Sequence, residues 1–600
     1  MTTINLDDEL SAGPEEAKRT VEAENTEATE SLSKLLEANA LKSANRDVSP
    51  KVVNLVKRAV GIMDDGPQGA AKAAKLIHKA LQIDDEFALA NQAMALCLER
   101  LGRLSAALAF YEKAWKQNPA DPEIYMNLGM VAWKLDMLEA AEKFLRLFLQ
   151  MSPGHVLGLM NFAGLMRDQA RFDDSVEILR NAIYANPERY ELWNGLGATL
   201  LEAGDPEQAL TFFNEALRLE GKFGRAHHNI AYAYELLGKP ELAEPHFASA
   251  LDRVSARKDE IAMRYGQAQA TLSLGRLEEG WERYQARLHP EFPNAVQFLI
   301  KAPMWDGVDL DAIKGKRVLW IGEQGLGDEV LFLQMARDLY EAIGPDGELF
   351  IAVEKRLMGI AKSIAPFATI GHHATVRSEA LNRRVVRDFD EDQTWDFWTP
   401  LAQPTRSLRL SVEAFSPAGY YTPKAEDIRH WTQVLSEISD LPKVGILWKS
   451  LKMDAKRSKH FAPFDRWKSL LTQDGLSFIN LQYGESDEEI AYAAREWGVT
   501  IHTLPNLNLK DDLEEVSALC CALDLTVGPT NATTNLAGAA GANVWTFSPV
   551  HRVWPQLGTD YMPWFPNTRM FGEEGYANWT GTMKTLSQAL EEFRTKTKAA

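Results

Sequence analysis

Three stretches of this 600-residue chain combine residue types that hold or move charged groups. In the first, the apolar run Asp524 to Val527 breaks at Gly528-Pro529 and crosses Thr530-Asn531-Ala532-Thr533-Thr534-Asn535. It then enters a small-residue helix at Leu536-Ala537-Gly538, and a second apolar run follows at Asn543 to Phe547. A strand, a hydroxyl- and amide-rich loop and a helix N-terminus offer backbone N–H groups and partial positive charge suited to a phosphate or carboxylate. The same pattern also describes an ordinary βαβ turn. In the second stretch, the strand Val444 to Trp448 runs into Lys449 and a loop holding Lys452, Lys456, Arg457, Lys459 and His460. Cations past the carboxyl end of a parallel strand stand where ligands bind, although a solvated loop would carry the same charges. The third stretch is the Gly-rich turn Gly322-Glu323-Gln324-Gly325-Leu326-Gly327-Asp328, between the strand Val318 to Ile321 and an amphipathic helix read from Glu329 to Tyr340. It matches neither the dinucleotide spacing G-x-G-x-x-G nor the P-loop G-x-x-x-x-G-K-[ST], which argues against both chemistries.

The elements that must position these residues alternate as strand, loop and helix. Glu348 to Val353, Ser477 to Gln482 and Thr500 to Thr503 read as further strands, with Gln482 at a strand end where it can reach a nucleotide base. The alternation predicts two Rossmann-like α/β halves, residues 316–425 and 426–600, the second binding the ligand, joined to what precedes them by a Pro-containing connector at 291–315.

Residues 47–290 carry a repeat. Pro119, Pro153 and Pro187 lie on a 34-residue period, and Gly102, Gly204 and Gly238 fall on the same grid. Ala107, Ala141, Ala209 and Ala243 share one register, and Tyr111, Leu145, Leu179, Phe213 and Phe247 share another. Small residues let paired helices approach, large ones fill the seam, and proline ends the second helix, which is the tetratricopeptide pattern. Gly275 and Trp281 suggest a capping pair at 258–288. Such a solenoid binds in a groove lined by its first helices. Asn127, Asn161 and Asn229 share a groove-side register, and Asn194 stands one place early beside Gly195. A ladder of amides can clamp an extended peptide backbone, and repeat duplication of a solvated Asn gives the same column.

The formal charge of −19 argues against nonspecific nucleic-acid binding. Cys97, Cys520 and Cys521 provide no disulfide framework, and no metal-ligand spacing occurs. There is neither a signal-peptide pattern nor an apolar run of about 18 residues, so no membrane span is expected and a cytoplasmic location is. Residues 1–46 read as a flexible acidic leader.

Trp320-Ile321-Gly322-Glu323-Gln324-Gly325-Leu326-Gly327-Asp328, with Val444 to Trp448 and Leu536-Ala537-Gly538-Ala539 to Trp545, resembles bacterial tetratricopeptide-repeat protein O-glycosyltransferases with a heptosyltransferase-like domain, of the flagellin glycosyltransferase type. The resemblance covers about residues 51 to 590, and the eukaryotic protein O-GlcNAc transferase is similar in plan. It implies an α-solenoid followed by a GT-B pair of Rossmann-like domains that moves a sugar from a nucleotide donor to Ser or Thr of a protein acceptor, flagellin, held by the repeats. No cofactor or metal is implied beyond the nucleotide sugar. Asp328 is then the acceptor base, with Glu323 second, and capping of the following helix is the competing role for Asp328. Gly325, Gly327, Lys449, Lys456, Arg457, His460, Gln482, Thr530, Asn531, Thr533, Thr534 and Asn535 are the donor-binding candidates, and the Asn column is the acceptor-binding one. Relatives carry Asp, Thr and His where this chain has Thr530, Asn531 and Asn535. Flagellin transferases of this type are associated with CMP-activated nonulosonic acids such as pseudaminic acid, whose own carboxylate would repel an Asp. The alternative is a noncatalytic peptide-binding adaptor with a degenerate transferase domain.

Overall fold

The computed structural model describes residues 48–599 apart from 65, 255–256, 293–294, 378–381, 390–392, 417–418, 452–457, 566 and 574; the acidic leader lies outside the described residues. The chain forms two compact units. One holds residues up to Ala226 with Arg253–Glu260, and the other holds His227–Asp252 with everything from Ile261.

In the first unit the 34-residue period becomes helical hairpins: Ala88–Arg100 with Leu104–Gln117, Pro122–Lys134 with Leu138–Met151, Val156–Asp168 with Phe172–Ala185, and Tyr190–Ala203 with Pro206–Leu219. Pro119, Pro153 and Pro187 each follow a second helix by two residues, where a residue without an N–H cannot extend it. Tyr111, Leu145, Leu179 and Phe213 are buried in the seams against Ala107, Ala141 and Ala209. The turn between the helices of each pair needs a left-handed residue: Gly102 at φ 73°, Asp136 at 61°, Ala170 at 58° and Gly204 at 95°. The glycine grid is therefore broken at two repeats while the turn geometry is not.

The helix Arg257–Ser273, whose residues from Ile261 on belong to the second unit, and the helix Leu277–Arg283 occupy the place expected of a capping pair. A cap would turn a polar face outward. Trp281 is instead fully buried, edge-on to Trp554 and Trp564 at 6.2 and 6.4 Å, with its indole N–H donating to the Arg409 carbonyl at 2.8 Å. This last hairpin belongs to the core of the α/β region, so the core extends N-terminal to the domain boundary at 290.

The first sheet has the order β1-β5-β4-β3-β2-β6, from β1 (Val296–Phe298), β2 (Arg317–Ile321), β3 (Glu348–Val353), β4 (Thr369–Arg377), β5 (Asn382–Arg387) and β6 (Phe397–Pro400). β1 lies inside the expected connector and pairs with β5, and β4 and β5 form the antiparallel pair. The chain moves from β2 to β3 on one side and returns to β6 on the other, which opens a crevice past the ends of β2 and β6. The second sheet, β12-β11-β10-β7-β8-β9, is parallel throughout: β7 (Lys443–Ile446), β8 (Ser477–Asn480), β9 (Ile501–His502), β10 (Leu525–Pro529), β11 (Val544–Phe547) and β12 (Thr568–Phe571). Counted within this sheet, the order is 3-2-1-4-5-6, whose crevice lies between β7 and β10. The amphipathic run after β2 is two helices, Leu326–Leu333 and Ala336–Ile343, interrupted where the Gln334 side chain donates to the Trp564 carbonyl at 2.8 Å. Among the described residues no helix is long and apolar enough to cross a membrane.

Candidate functional site

The Gly-rich turn leaves β2 and starts the helix Leu326–Leu333. Gly325 is the N-cap, and Asp328, three residues on, accepts from the Gly325 N–H at 3.2 Å. Capping is thus real, but from the third helical position rather than from the cap itself. Burial pushes the half-buried Asp328 carboxyl up to about 6; the Gly325 N–H opposes this shift, and the neighbouring charges of Glu323 and Glu329 add to it. A carboxylate that titrates there suits proton transfer near neutral pH.

Glu323, the second candidate base, has a different role. It is buried and accepts from Arg287 Nε and Nη2 at 3.3 and 3.0 Å and from the Ala402 N–H at 3.1 Å. Arg287 is buried as well, and it also donates to the Tyr284 carbonyl and to Gln403 Oε1. The first crevice is therefore filled by a cation from the last helical turn before the sheet. The Tyr284 ring lies under that guanidinium at 4.4 Å and stacks on Tyr265 at 5.5 Å, and its hydroxyl accepts from Gln324 Nε2 at 2.8 Å. These two phenols, raised above their usual range by burial, line the same turn as Asp328.

Behind the turn, His373 Nε2 and Glu329 Oε1 lie 2.6 Å apart, both buried, while Glu329 Oε2 accepts from the Glu354 N–H at 2.7 Å. Arg384 donates to the Gly322 carbonyl at 2.6 Å. A Cβ on Gly322 would lie 2.2 Å from Glu329 Oε1 and 2.5 Å from His373 Nε2, so this glycine is required by close approach. Gly322→Ala is expected to cost about 1–3 kcal/mol through overpacking, seen as a lower denaturation midpoint with the slope unchanged.

In the second half, the strand, polar loop and helix read from the sequence are present, and the strand order places the loop after β10 at the crevice between β7 and β10. The helix terminus there is closed by its own cap, a correction to the open terminus expected. Asn531 Oδ1 accepts from the N–H groups of Thr533 and Thr534 at 2.9 and 3.2 Å, and Thr534 Oγ1 accepts from the Asn531 N–H at 2.9 Å. Asn is among the strongest N-caps, so the residue that looked like a ligand donor first satisfies its own helix. Thr533, Thr534 and Asn535 are buried, and Thr530 pairs with Thr546 across hydroxyls at 3.1 Å.

Asn535 Nδ2 donates to the Gly327 carbonyl at 3.1 Å, and a Cβ on Gly327 would touch that amide and Ala532. The two turns from the two sheets are therefore packed against each other, with Asn535 as the joint rather than a group facing a ligand.

The basic loop after β7 is also more occupied than its sequence suggested. Lys449 is ion-paired with Glu489. Gln482 is buried. Its oxygen accepts from the Trp448 and Lys449 N–H groups, and its amide donates to the Lys449 and Tyr483 carbonyls. With oxygen and amide both engaged by backbone, Gln482 positions the loop instead of reading a base. His460 is exposed, and Lys456 and Arg457 lie outside the described residues. Among the described residues no three His, Cys, Asp or Glu side chains converge as a metal set.

Asn127, Asn161 and Asn229 are half-buried on the first helices of their pairs. Asn194 is buried, because a shift of one residue rotates a side chain by about 100° around the helix. It therefore leaves the column.

No sequence signal marked Arg287, His373, Arg384, Tyr265 or Tyr284: each is an isolated side chain brought to the turn from 36 or more residues away along the chain or across the sheet.

Three tetratricopeptide repeat family models match residues 166–222, 100–154 and 224–253. Tetratricopeptide repeat protein 7B of Homo sapiens is 28% identical over 120 residues, 20% of this chain and 14% of that one. A solved structure, a thermophilic TPR protein of Thermus thermophilus, shares 23% identity at a TM-score of 0.28 over 31% of this chain and 99% of its own. Protein FlbA of Caulobacter vibrioides is 38% identical over 559 residues, 93% of each chain, so the match runs through the repeats, the Gly-rich turn and the second crevice alike. The chain belongs to the family of Protein FlbA.

Proposed function

We propose that this protein is a flagellum-associated, GT-B type O-glycosyltransferase, moving a carboxylated nonulosonic sugar, of the pseudaminic acid class, from a CMP donor to Ser or Thr of flagellin held by its repeats. The observation that carries the reading is the juxtaposition of Asp328, titrating at about 6, with the loop at the second crevice through Asn535 and the Gly327 carbonyl. A base on one α/β half and a ligand crevice on the other, joined at one point, is the arrangement a two-domain transferase needs. In the step, Asp328 takes the acceptor hydroxyl proton as the oxygen attacks the anomeric carbon, and the sugar–phosphate bond breaks with its electron pair leaving on CMP. The tetratricopeptide repeats supply acceptor binding, with Asn127, Asn161 and Asn229 as backbone clamps.

A second reading, a noncatalytic adaptor, draws on the closed helix terminus at Asn531 and on the engagement of Glu323 and Gln482 by the protein itself. The two readings separate on purified protein. The transferase reading expects CMP, and not UDP or GDP, to raise the melting temperature, and expects an acceptor mass increase with a CMP-nonulosonate. Absence of both results leaves the adaptor.

A further inference from the structure

The second sheet has another opening, past the ends of β11 and β12. A cavity of about 260 Å³ is lined there by His551, Arg552, Gln556, Thr559, Asp560 and Phe571 among others. Its size suits one monosaccharide unit rather than a whole nucleotide sugar. Its position is continuous with the crevice loop. The Thr530 N–H donates to the Phe547 carbonyl at 3.2 Å, and β11 runs on from Phe547 through Ser548 to His551.

The walls are built rather than incidental. The Ser548 N–H donates to the Phe571 carbonyl at 3.2 Å and the Ala577 N–H to the Pro549 carbonyl at 2.8 Å, pinning the segment that carries His551 and Arg552. Buried Gln556 accepts from the Val553 N–H at 2.9 Å. The turns of the last two helical hairpins close on the same segment: a Cβ on Gly238 would lie 3.0 Å from His551 Nδ1, and one on Gly558 would lie 2.7 Å from Gly275 Cα.

The chemistry of the lining is specific. Arg552 already faces a carboxylate, Glu241 Oε2 at 3.5 Å, with both side chains part-exposed so that an incoming anion can displace it. The Asp560 carboxylate can accept from the hydroxyls of a ligand and Phe571 gives an apolar floor, while the Thr559 hydroxyl is held by its own turn, donating to the Gln556 carbonyl at 2.8 Å and accepting from the Tyr561 N–H at 3.3 Å. We infer that this cavity is the sugar subsite, in which Arg552 with His551 takes the carboxylate of an acidic monosaccharide and Asp560 takes its hydroxyls. The identity of the sugar as the transferred group rests on the transfer reading; the anion-plus-hydroxyl chemistry does not. The subsite also supplies one cation, Arg552, where Lys449 of the basic loop is already paired with Glu489.

The experiment compares binding of CMP, CMP-N-acetylneuraminate and free N-acetylneuraminate to the full chain by calorimetry and ligand-observed NMR. CMP-N-acetylneuraminate is expected to bind at least about tenfold tighter than CMP, since a charge-assisted hydrogen bond contributes about one to two decades of affinity. Arg552→Ala should erase that difference and leave CMP affinity unchanged, Arg552→Lys should keep part of it, and Asp560→Asn should weaken both sugar ligands. An unchanged melting temperature shows that Arg552→Ala is folded. A difference that survives Arg552→Ala, or CMP and CMP-sugar binding equally, overturns the subsite while the transfer reading stands on CMP binding. If CMP does not bind but free sugar binds in an Arg552-dependent way, the subsite stands and the transfer reading falls. If neither binds, both fall.

Discussion

Asp328→Asn is expected to lower transfer by about 10²–10⁴-fold, the usual share of a general base, while acceptor binding survives. The wild-type rate should rise with pH and level off above about 6, losing about tenfold per unit below that value, because the proton acceptor exists only as carboxylate. Stability moves in the opposite sense. A carboxyl whose folded pKa is raised above its unfolded value of 3.8 contributes stability that is fully present below that value and lost as pH rises through about 6. Asp328→Asn keeps an oxygen for the Gly325 N–H and removes that penalty, so its melting temperature should exceed wild type at pH 8 and converge with it at pH 4. A purely structural cap would show no loss of turnover, so measuring rate and melting temperature on the same variant across pH separates the two roles. Retained wild-type turnover would remove Asp328 from the mechanism.

Arg287→Met should produce the largest loss of stability, about 3–5 kcal/mol, because it leaves Glu323 charged and buried without its cation. Glu323→Gln should cost less, since the amide oxygen still accepts from the Ala402 N–H, and the double variant Arg287→Met with Glu323→Gln should be more stable than Arg287→Met alone. The readout is the denaturation midpoint followed separately by tryptophan fluorescence and far-ultraviolet dichroism. Arg287 stands at the end of the last helical hairpin and ties it to the turn that carries Asp328, so transfer should fall along with stability. Additive single-variant effects would mean the two side chains do not act as a pair.

The same residue shows where sequence reading stops. The 34-residue period, the strand–turn–helix pattern at Gly322–Asp328 and the alternation of the second half are local, and helices and strands follow local periodicity. These features carried through to the hairpins and to the strands and helices of the two sheets, whereas the strand order that sets the crevice between β7 and β10 came only with the fold. Boundaries were less legible. Strand β1 lies within what reads as connector, and Trp281, read as part of a terminal cap, is core, because whether a hydrophobic side chain faces water or another domain is settled by what packs on it.

Among the site residues, type alone misled wherever a polar side chain had a nearer partner inside the protein. Asn531 satisfies its helix, Asn535 the Gly327 carbonyl, Gln482 the backbone of the basic loop, and Glu323 an arginine 36 residues upstream. Asn194, one place out of register, is turned into the core. By itself the sequence determined the repeat, the two alternating α/β halves and the turns on which the candidate residues stand, since each depends on spacing along the chain. Tertiary structure decided which polar groups are already hydrogen-bonded, that burial lifts Asp328 to about 6, and that His551 and Arg552 line a cavity beside the crevice, since burial and charge proximity arise between residues far apart in the chain.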